Sequence, residues 1–151
     1  MKVKIKKLVP EAITPFYAKD GDAAMDLTAV SYQDHKLFGE YDKITDGITI
    51  FREYKTGLAV EIPKGFFGLI RPRSSVSNYD LQFSSSGIVD SGYRGELKVR
   101  FKILNDGQIT YGKGDRVAQF MILPYPPIEF EEVDTLSETE RGEGGHGSSG
   151  K

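Results

Sequence analysis

Residues 96–104 read Glu-Leu-Lys-Val-Arg-Phe-Lys-Ile-Leu, the clearest alternation of apolar and charged side chains in the sequence. Successive side chains of a strand point to opposite faces, so this stretch predicts a half-buried β-strand. Similar patterns predict further strands at 2–9, 26–31, 47–51, 55–62, 66–71, 87–89, 116–123 and 128–133. Glycines and prolines separate these stretches and helical periodicity is nearly absent, which indicates an all-β sandwich or barrel.

The remaining segments differ in character. One short helix is predicted at about 74–80, where Ser74 or Ser75 would cap its N-terminus. The polar and aromatic stretch 32–54 is interpreted as a long loop or an extra hairpin. Residues 134–151 hold almost no core-forming side chains, and five of the last ten residues are glycine. We therefore expect one domain over 1–133 and a mobile glycine-rich arm over 134–151.

The bulk composition narrows the class of protein. The chain has 151 residues, which suits one domain, and it has no cysteine, which excludes disulfides and thiolate zinc sites. Its net charge is −2, whereas a general nucleic-acid binder usually carries an excess of basic residues. No apolar run is long enough to span a membrane, and none follows the basic residues 2–7 as a signal peptide requires. We expect a cytoplasmic protein without a nucleic-acid or membrane partner.

Two segments carry chemistry at strand ends. Residues 71–75 read Arg-Pro-Arg-Ser-Ser, which brings guanidinium groups and hydroxyls to a helix start, a favourable place for phosphate. A serine-capped helix with a surface arginine explains this segment equally well. Residues 22–27 read Asp-Ala-Ala-Met-Asp-Leu, where small residues let the Asp26 carboxylate project from a tight backbone. Taken alone, Asp26 is more simply a solvated strand-edge residue.

Three further segments carry candidate ligand-binding groups. A β-hairpin predicted at 87–96, Gly-Ile-Val-Asp-Ser-Gly-Tyr-Arg-Gly-Glu, would offer Asp90 and Tyr93 to a small ligand, although such residues are common in turns. Residues 114–120, Gly-Asp-Arg-Val-Ala-Gln-Phe, predict a turn and a strand. Residues 141–150, Arg-Gly-Glu-Gly-Gly-His-Gly-Ser-Ser-Gly, suit the wrapping of a phosphate by backbone N–H groups, with a plain linker as the alternative.

In this order and spacing, the five segments resemble the five motifs of the trimeric dUTPase family, from about residue 3 to the last residue. The family patterns are Ala-Gly-x-Asp-Leu, Pro-Arg-Ser-Ser, Gly-Val-Ile-Asp-x-x-Tyr-Arg-Gly, Gly-Asp-Arg-Ile-Ala-Gln and Arg-Gly-x-Gly-Gly-Phe-Gly-Ser-Thr-Gly. The resemblance implies a jelly-roll-like subunit in a homotrimer that exchanges its C-terminal arms. It also implies Mg²⁺-dependent hydrolysis of dUTP to dUMP and pyrophosphate, which keeps uracil out of DNA and supplies dUMP for dTMP synthesis.

The resemblance also implies roles for single residues. Asp90 would hold the water that attacks the α-phosphorus and accept its proton. Tyr93 would lie under the deoxyribose and leave no room for a 2′-hydroxyl. Asp26 would help to hold hydrated Mg²⁺, mostly through water. The other implied substrate contacts are Arg73, Ser74, Ser75, Gly87, Ile88, Val89, Gln119, Arg141, His146, Gly147, Ser148 and Ser149.

Some positions depart from the family pattern. His146 replaces a frequent phenylalanine but keeps a flat ring, serines at 84–86 stand near the place of an asparagine beside the uracil, and Gly92 replaces a frequent acidic residue. Two alternatives remain. A dCTP deaminase shares the fold, but Arg100 falls where its catalytic glutamate would stand, and arginine cannot act as that base. A protein-binding regulator would use the aromatic residues of 32–54 as a contact surface.

Overall fold

The computed structural model describes residues 1–38, 48–104 and 109–144. Within these ranges the chain forms ten strands and one short 3-10 helix, Ser74–Asn78. The strands are β1 (Lys4–Lys7), β2 (Met25–Thr28), β3 (Ser31–Phe38), β4 (Ile48–Lys55), β5 (Leu58–Glu61), β6 (Phe66–Pro72), β7 (Leu81–Phe83), β8 (Ile88–Val89), β9 (Lys98–Ile103) and β10 (Arg116–Pro124). None of the described elements is a helix long and apolar enough to cross a membrane.

Two four-stranded antiparallel sheets form most of the fold, in the orders β2-β10-β6-β8 and β3-β4-β9-β7, and β1 pairs separately with β5. The chain passes between the two larger sheets at Ala29 and Val30. The N–H of Ala29 donates to the Asp115 carbonyl, whereas that of Val30 donates to the Lys55 carbonyl beside β4. These observations confirm the predicted all-β, jelly-roll-like class with one short helix.

The core follows the alternation that the sequence shows. Leu97, Val99, Phe101 and Ile103 are all buried, and the charged residues between them lie on the outer face of β9. Aromatic rings fill the space behind β4 and β9, since the rings of Tyr54 and Phe101 meet edge-on with centroids 5.9 Å apart. Packing of this kind adds specific ring contacts to the burial of apolar area.

The stretch 32–54 forms the extra hairpin, with β3 and β4 in register from Ser31 opposite Lys55 to Phe38 opposite Ile48. Its tip, 39–47, lies outside the described residues. The prediction of separate strands at 47–51 and 55–62 placed the break wrongly, because β4 continues to Lys55. The chain instead turns at Gly57, which has a positive φ of 67°.

Two other predictions were wrong. Residues 128–133 form no strand, because none of the strands in the described part of the chain pairs with them, and Ile128 and Phe130 are 72% and 93% exposed. The helix at Ser74 has Arg73 as its N-cap, without a side-chain cap hydrogen bond. Its serines bond within the turn instead, where the Ser77 hydroxyl donates to the Ser74 carbonyl at 3.1 Å. Strand β7 was not predicted.

Candidate active site

A pocket of about 190 Å³ lies between the end of β6, the β8 segment and the start of β9. Residues 87–96 provide much of its wall, but the predicted hairpin was wrong, because β8 pairs with β6 whereas β9 pairs with β4 and β7 in the other sheet. Its lining residues are Ile70, Ser85, Ser86, Gly87, Ile88, Val89, Asp90, Tyr93, Glu96, Leu97 and Lys98. The pocket is smaller than the ~300–1,000 Å³ typical of sites for drug-sized ligands. It suits part of a ligand whose remainder lies outside.

Gly87 fixes the backbone on one side of this pocket. Its φ is +79°, and a Cβ at this position would overlap the carbonyl oxygen of Ile70. The N–H of Ile70 donates to the Gly87 carbonyl at 2.6 Å, and β8 pairs with β6 at Ile88 opposite Leu69. Only glycine fits both this conformation and this closeness. The main chain of 87–89 is therefore held firmly beside the pocket.

Tyr93 forms another part of the wall, and Gly95 gives its ring room. The Tyr93 hydroxyl donates to the Glu96 carbonyl at 3.1 Å, and the Tyr93 N–H donates to the Asp90 carbonyl at 3.0 Å. A Cβ on Gly95 would lie 2.5 Å from the Tyr93 ring carbon Cζ. The turn thus holds a half-exposed ring against the pocket, and a side chain at 95 would displace it.

Asp90 places an exposed carboxylate at the edge of the pocket. Within the described ranges, no side chain forms a hydrogen bond or an ion pair with this carboxylate. The nearby Arg94 is engaged elsewhere, because its Nη1 donates to the carbonyls of Ser91 and Tyr93 at 2.7 and 2.8 Å. The negative charge of Asp90 is therefore available to water or to a ligand.

A second group of predicted residues meets at the β2 and β10 strands. The Asp26 carboxylate, 5% exposed, lies 3.0 Å from Arg73 Nε and 3.0 Å from Arg116 Nη1. Arg73 also donates a long hydrogen bond of 3.4 Å to the Ser75 hydroxyl. Gln119 stands in β10 directly opposite Asp26. Two guanidinium groups face one carboxylate, which leaves a positive charge suited to an anion.

The donor chemistry of this group limits how a metal ion could bind. No cluster of three or more His, Cys, Asp or Glu side chains suited to a metal occurs in the part of the chain that the structure describes. Both Asp26 oxygens already face guanidinium groups. Mg²⁺ commonly keeps several waters and binds one or two carboxylates together with substrate phosphates. Asp26 therefore fits a water-mediated contact to a phosphate-bound Mg²⁺ better than direct ligation.

The described chain brings the predicted site residues into two groups. Gly87, Ile88, Val89, Asp90 and Tyr93 share the pocket. Asp26, Arg73, Ser74, Ser75 and Gln119 are absent from its lining. In the tail, Arg141 is exposed and its Nε donates to the Gly144 carbonyl at 2.9 Å. The predicted contacts His146, Gly147, Ser148 and Ser149 lie outside the described residues.

Sequence reasoning missed Lys98, which lines the pocket on the outer face of β9. Its Nζ lies 3.0 Å from Glu53 Oε1, and hydrogen bonding to Glu53 raises the pKa of Lys98. Glu53 also pairs with Arg100 at 2.9 Å. The run of cations in 98–102 was a visible signal, but their partner lies on β4, about 45 residues earlier. Arg100, which stands where a dCTP deaminase would have its catalytic glutamate, is thus engaged in an ion pair with Glu53.

Comparison with known proteins shows which family the chain resembles. A family model described as dUTPase matches residues 11–150. The chain is 36% identical to the deoxyuridine 5′-triphosphate nucleotidohydrolase of Hydrogenobaculum sp., over 99% of each chain. It is 40% identical to the enzyme of that name from Mycobacterium leprae, over 97% of this chain and 93% of the relative.

A solved structure shows the same fold. The dUTPase of Staphylococcus bacteriophage 80alpha, determined with dUPNHPP, is similar with a TM-score of 0.77 and 27% identity over 99% of both chains. Family model, relatives and fold thus agree over nearly the whole sequence. The chain belongs to the dUTPase family.

Proposed function

We propose how this dUTP diphosphatase converts dUTP to dUMP and pyrophosphate. The observation that supports the scheme best is the pocket in which a rigid backbone at 87–89, the Tyr93 ring and the unpaired Asp90 carboxylate converge. A nucleotide substrate needs such contacts at neighbouring places: backbone groups for the base, a ring against the sugar and a carboxylate beside the reacting phosphate. All three belong to one short segment of the chain, residues 87–93.

The pocket takes the deoxyuridine. Backbone groups of Gly87, Ile88 and Val89 lie beside it, and main-chain donors and acceptors held rigidly in place can read the edge of uracil. Close walls leave no room for the methyl group of thymine. Tyr93 lies under the deoxyribose, where its ring occupies the space that a 2′-hydroxyl would need. The enzyme therefore prefers dUTP to both dTTP and UTP.

Asp90 is the general base. Its carboxylate accepts a proton from a water molecule as the water oxygen attacks the α-phosphorus. The bond from that phosphorus to the oxygen bridging to the β-phosphorus breaks, and pyrophosphate leaves with the bonding electron pair. A positioned base contributes about 10²–10⁴-fold to such a step. The lack of a partner for Asp90 among the described residues supports this role, because the carboxylate is open to water.

The group around Asp26 receives the triphosphate. Arg73, Ser74, Ser75 and Gln119 contact phosphate oxygens, and the buried Asp26 holds the Arg73 side chain in place at 3.0 Å. Bound Mg²⁺ would supply positive charge that neutralises the phosphates, held by them and by Asp26 through water. The guanidinium groups add charge-assisted hydrogen bonds of the bidentate kind.

The two residue groups meet in a homotrimer, where residues 87–93 of one copy face the phosphate-binding residues around Asp26 of another. Apolar side chains left exposed in one chain support this assembly, namely Ile128, Phe130, Val133 and Leu136. An apolar groove at Val3, Ile5 and Tyr17 offers such residues a place on a neighbouring copy. An exchanged arm would also explain why residues 128–133 pair with no strand among the described residues of their own chain.

The arm 134–151 closes over bound nucleotide. Arg141 would meet the γ-phosphate and His146 would stack on uracil, while Gly147, Ser148 and Ser149 would donate hydrogen bonds.

We place the enzyme in the cytoplasm, without nucleic-acid or membrane partners. An added protein partner at the β3–β4 hairpin is weakly supported, because Tyr32 already packs on Tyr54 and under Arg52, 4.4 Å from its ring centroid.

Pyrophosphate release tests the scheme. The purified protein with Mg²⁺ should hydrolyse dUTP, and its kcat/KM for UTP and dTTP should be lower by orders of magnitude. The control is the same preparation without nucleotide. If UTP is hydrolysed as readily as dUTP, the role given to Tyr93 is wrong.

A further inference from the structure

Tyr111 carries a buried hydroxyl group without a partner. The residue is 2% exposed, and its phenol oxygen forms no hydrogen bond with any described residue. Buried polar groups are nearly always satisfied, so an exception calls for an explanation. A bound substrate or a substrate-induced rearrangement is one way to satisfy such a group. The scheme proposed above gives Tyr111 no role.

Contacts from two directions fix the position of Tyr111. The Tyr54 hydroxyl donates to the Tyr111 carbonyl at 3.0 Å, and the rings of Tyr79 and Tyr111 lie with centroids 4.0 Å apart. Next to it, Thr110 accepts a hydrogen bond of 2.7 Å from Arg52 Nη1. Both Arg52 and Tyr54 belong to β4, so the extra hairpin anchors this segment. The phenol oxygen is therefore placed by packing rather than by a hydrogen bond of its own.

Two of the polar groups near this oxygen, Ser75 and Arg73, belong to the phosphate-binding segment, and Tyr79 and Asp115 are the others. Burial, the largest influence, raises the pKa of the Tyr111 phenol, while the Ser75 hydroxyl and the Arg73 charge oppose it. Ser75 is also in contact with Arg73, whose Nη1 lies 3.4 Å from Ser75 Oγ. The helix that carries Ser75 also packs against Tyr111, because the ring of its C-cap residue Tyr79 lies 4.0 Å from the Tyr111 ring. Ser75 is therefore near both a guanidinium group and a phenol, and each of these can donate to a hydroxyl oxygen.

We propose that Tyr111 is a positioning residue for the triphosphate, through Ser75. A serine hydroxyl accepts two hydrogen bonds and donates one. When Tyr111 and Arg73 both donate to Ser75 Oγ, the Ser75 proton has no acceptor on that side and points to a phosphate oxygen. The phenol thereby gains its missing partner in the bound state. This inference rests on the proposed role of Ser75 in phosphate binding.

Tyr111→Phe removes the hydroxyl and keeps the ring. Loss of one neutral hydrogen bond in the bound state should lower kcat/KM for dUTP about 3- to 10-fold. The change should appear in KM, with kcat nearly unchanged, and as an equal rise in the Kd of a non-hydrolysable imido analogue of dUTP. The thermal unfolding midpoint should not fall, because the hydroxyl has no described partner in the free protein.

Tyr79→Phe is the matched control, since it removes a hydroxyl from the stacked neighbour and leaves Ser75 untouched. Its kinetics should equal those of the wild type. In a Ser75→Ala background, Tyr111→Phe should have no further effect on kcat/KM or on analogue binding. Full additivity of the two substitutions would overturn the inference, as would Tyr111→Phe kinetics and analogue affinity within the error of the wild type.

The failure of this inference can be told from failure of the proposed function. A wild type without dUTP turnover refutes the function, and calorimetric binding of the imido analogue then still compares Tyr111→Phe with the wild type. A wild type active on dUTP, with an unchanged Tyr111→Phe variant, refutes only the inference. A lowered unfolding midpoint together with a lowered kcat would assign Tyr111 a purely structural role and also overturn it.

Discussion

Replacing Gly95 by alanine should impair the dUTP site while leaving the stability of the fold almost unchanged. A Cβ at Gly95 would lie 2.5 Å from Tyr93 Cζ and 2.9 Å from Cε2, whereas ordinary contacts begin at 3.4 Å. The ring must therefore retreat by at least about 0.9 Å, which is the difference between 2.5 and 3.4 Å. Tyr93 is 45% exposed, so it can swing outward without displacing the core.

The energetic cost of this change is small for the fold. The φ of Gly95 is not positive, so alanine fits the backbone and should stabilise the folded state by about 0.4–1 kcal/mol through the unfolded chain. Loss of the hydrogen bond from Tyr93 to the Glu96 carbonyl costs about 0.5–1.5 kcal/mol. The two effects nearly cancel. Activity should fall steeply, because a misplacement of about 1 Å at a reacting site can cost 10²-fold.

The assay compares kcat/KM for dUTP and UTP in Gly95→Ala with the unfolding midpoint of the same preparation. We expect a fall of about 10²-fold for dUTP, weaker discrimination against UTP and an almost unchanged midpoint. Gly92→Ala is the control in the same segment between β8 and β9, because a Cβ there meets nothing within 4 Å. Wild-type selectivity in Gly95→Ala would show that the Tyr93 ring does not define the sugar pocket.

Three further changes give contrasting results. Gly87→Ala should destabilise the fold by at least about 2 kcal/mol in chemical denaturation, because a positive φ and a backbone oxygen oppose the new methyl group; an unchanged midpoint would contradict this. Asp90→Asn should keep its affinity for the imido analogue of dUTP and lose turnover by about 10²-fold or more, and near-normal turnover would remove Asp90 from its role. Deleting 141–151 should leave the mass of the assembly and the unfolding midpoint little changed while dUTP turnover falls steeply, and retained activity would exclude the tail from the site.

Local sequence patterns predicted those parts of the fold that do not depend on pairing with residues far away in the sequence. The alternation in 96–104 gave a buried face, and the segment 87–96 does place Asp90 and Tyr93 at one pocket. Its hairpin pairing was predicted wrongly, because β8 pairs with β6 and β9 pairs with β4 and β7. Strand β7 was missed because its three residues gain their pairing from β9, about 20 residues later. The pattern at 128–133 was just as suggestive, but alternation does not say whether a partner strand exists within the chain.

In the candidate site, too, the sequence predicted local features but not contacts between distant residues. Motif order identified Asp26, Arg73 and Gln119, and strand register explains why Asp26 and Gln119 are neighbours. The double ion pair of Asp26 with Arg73 and Arg116 was not predicted, because it joins residues 47 to 90 positions apart. Tyr111 gave no sequence signal at all. Its significance comes from burial and from packing against Tyr54 and Tyr79, which only the tertiary structure shows.

The two residue groups of this chain, residues 87–93 and the group around Asp26, are proposed to meet between copies and form one dUTP site. The most direct test mixes Asp90→Asn chains with Arg73→Gln chains, each nearly inactive alone, after mass measurement has shown that tagged wild-type subunits exchange. In equally mixed trimers, about one quarter of the sites should combine an intact Asp90 from one chain with an intact Arg73 from another, so activity should return to about one quarter of the wild-type value. If subunits exchange and no activity returns, the site lies within a single chain and the account is contradicted.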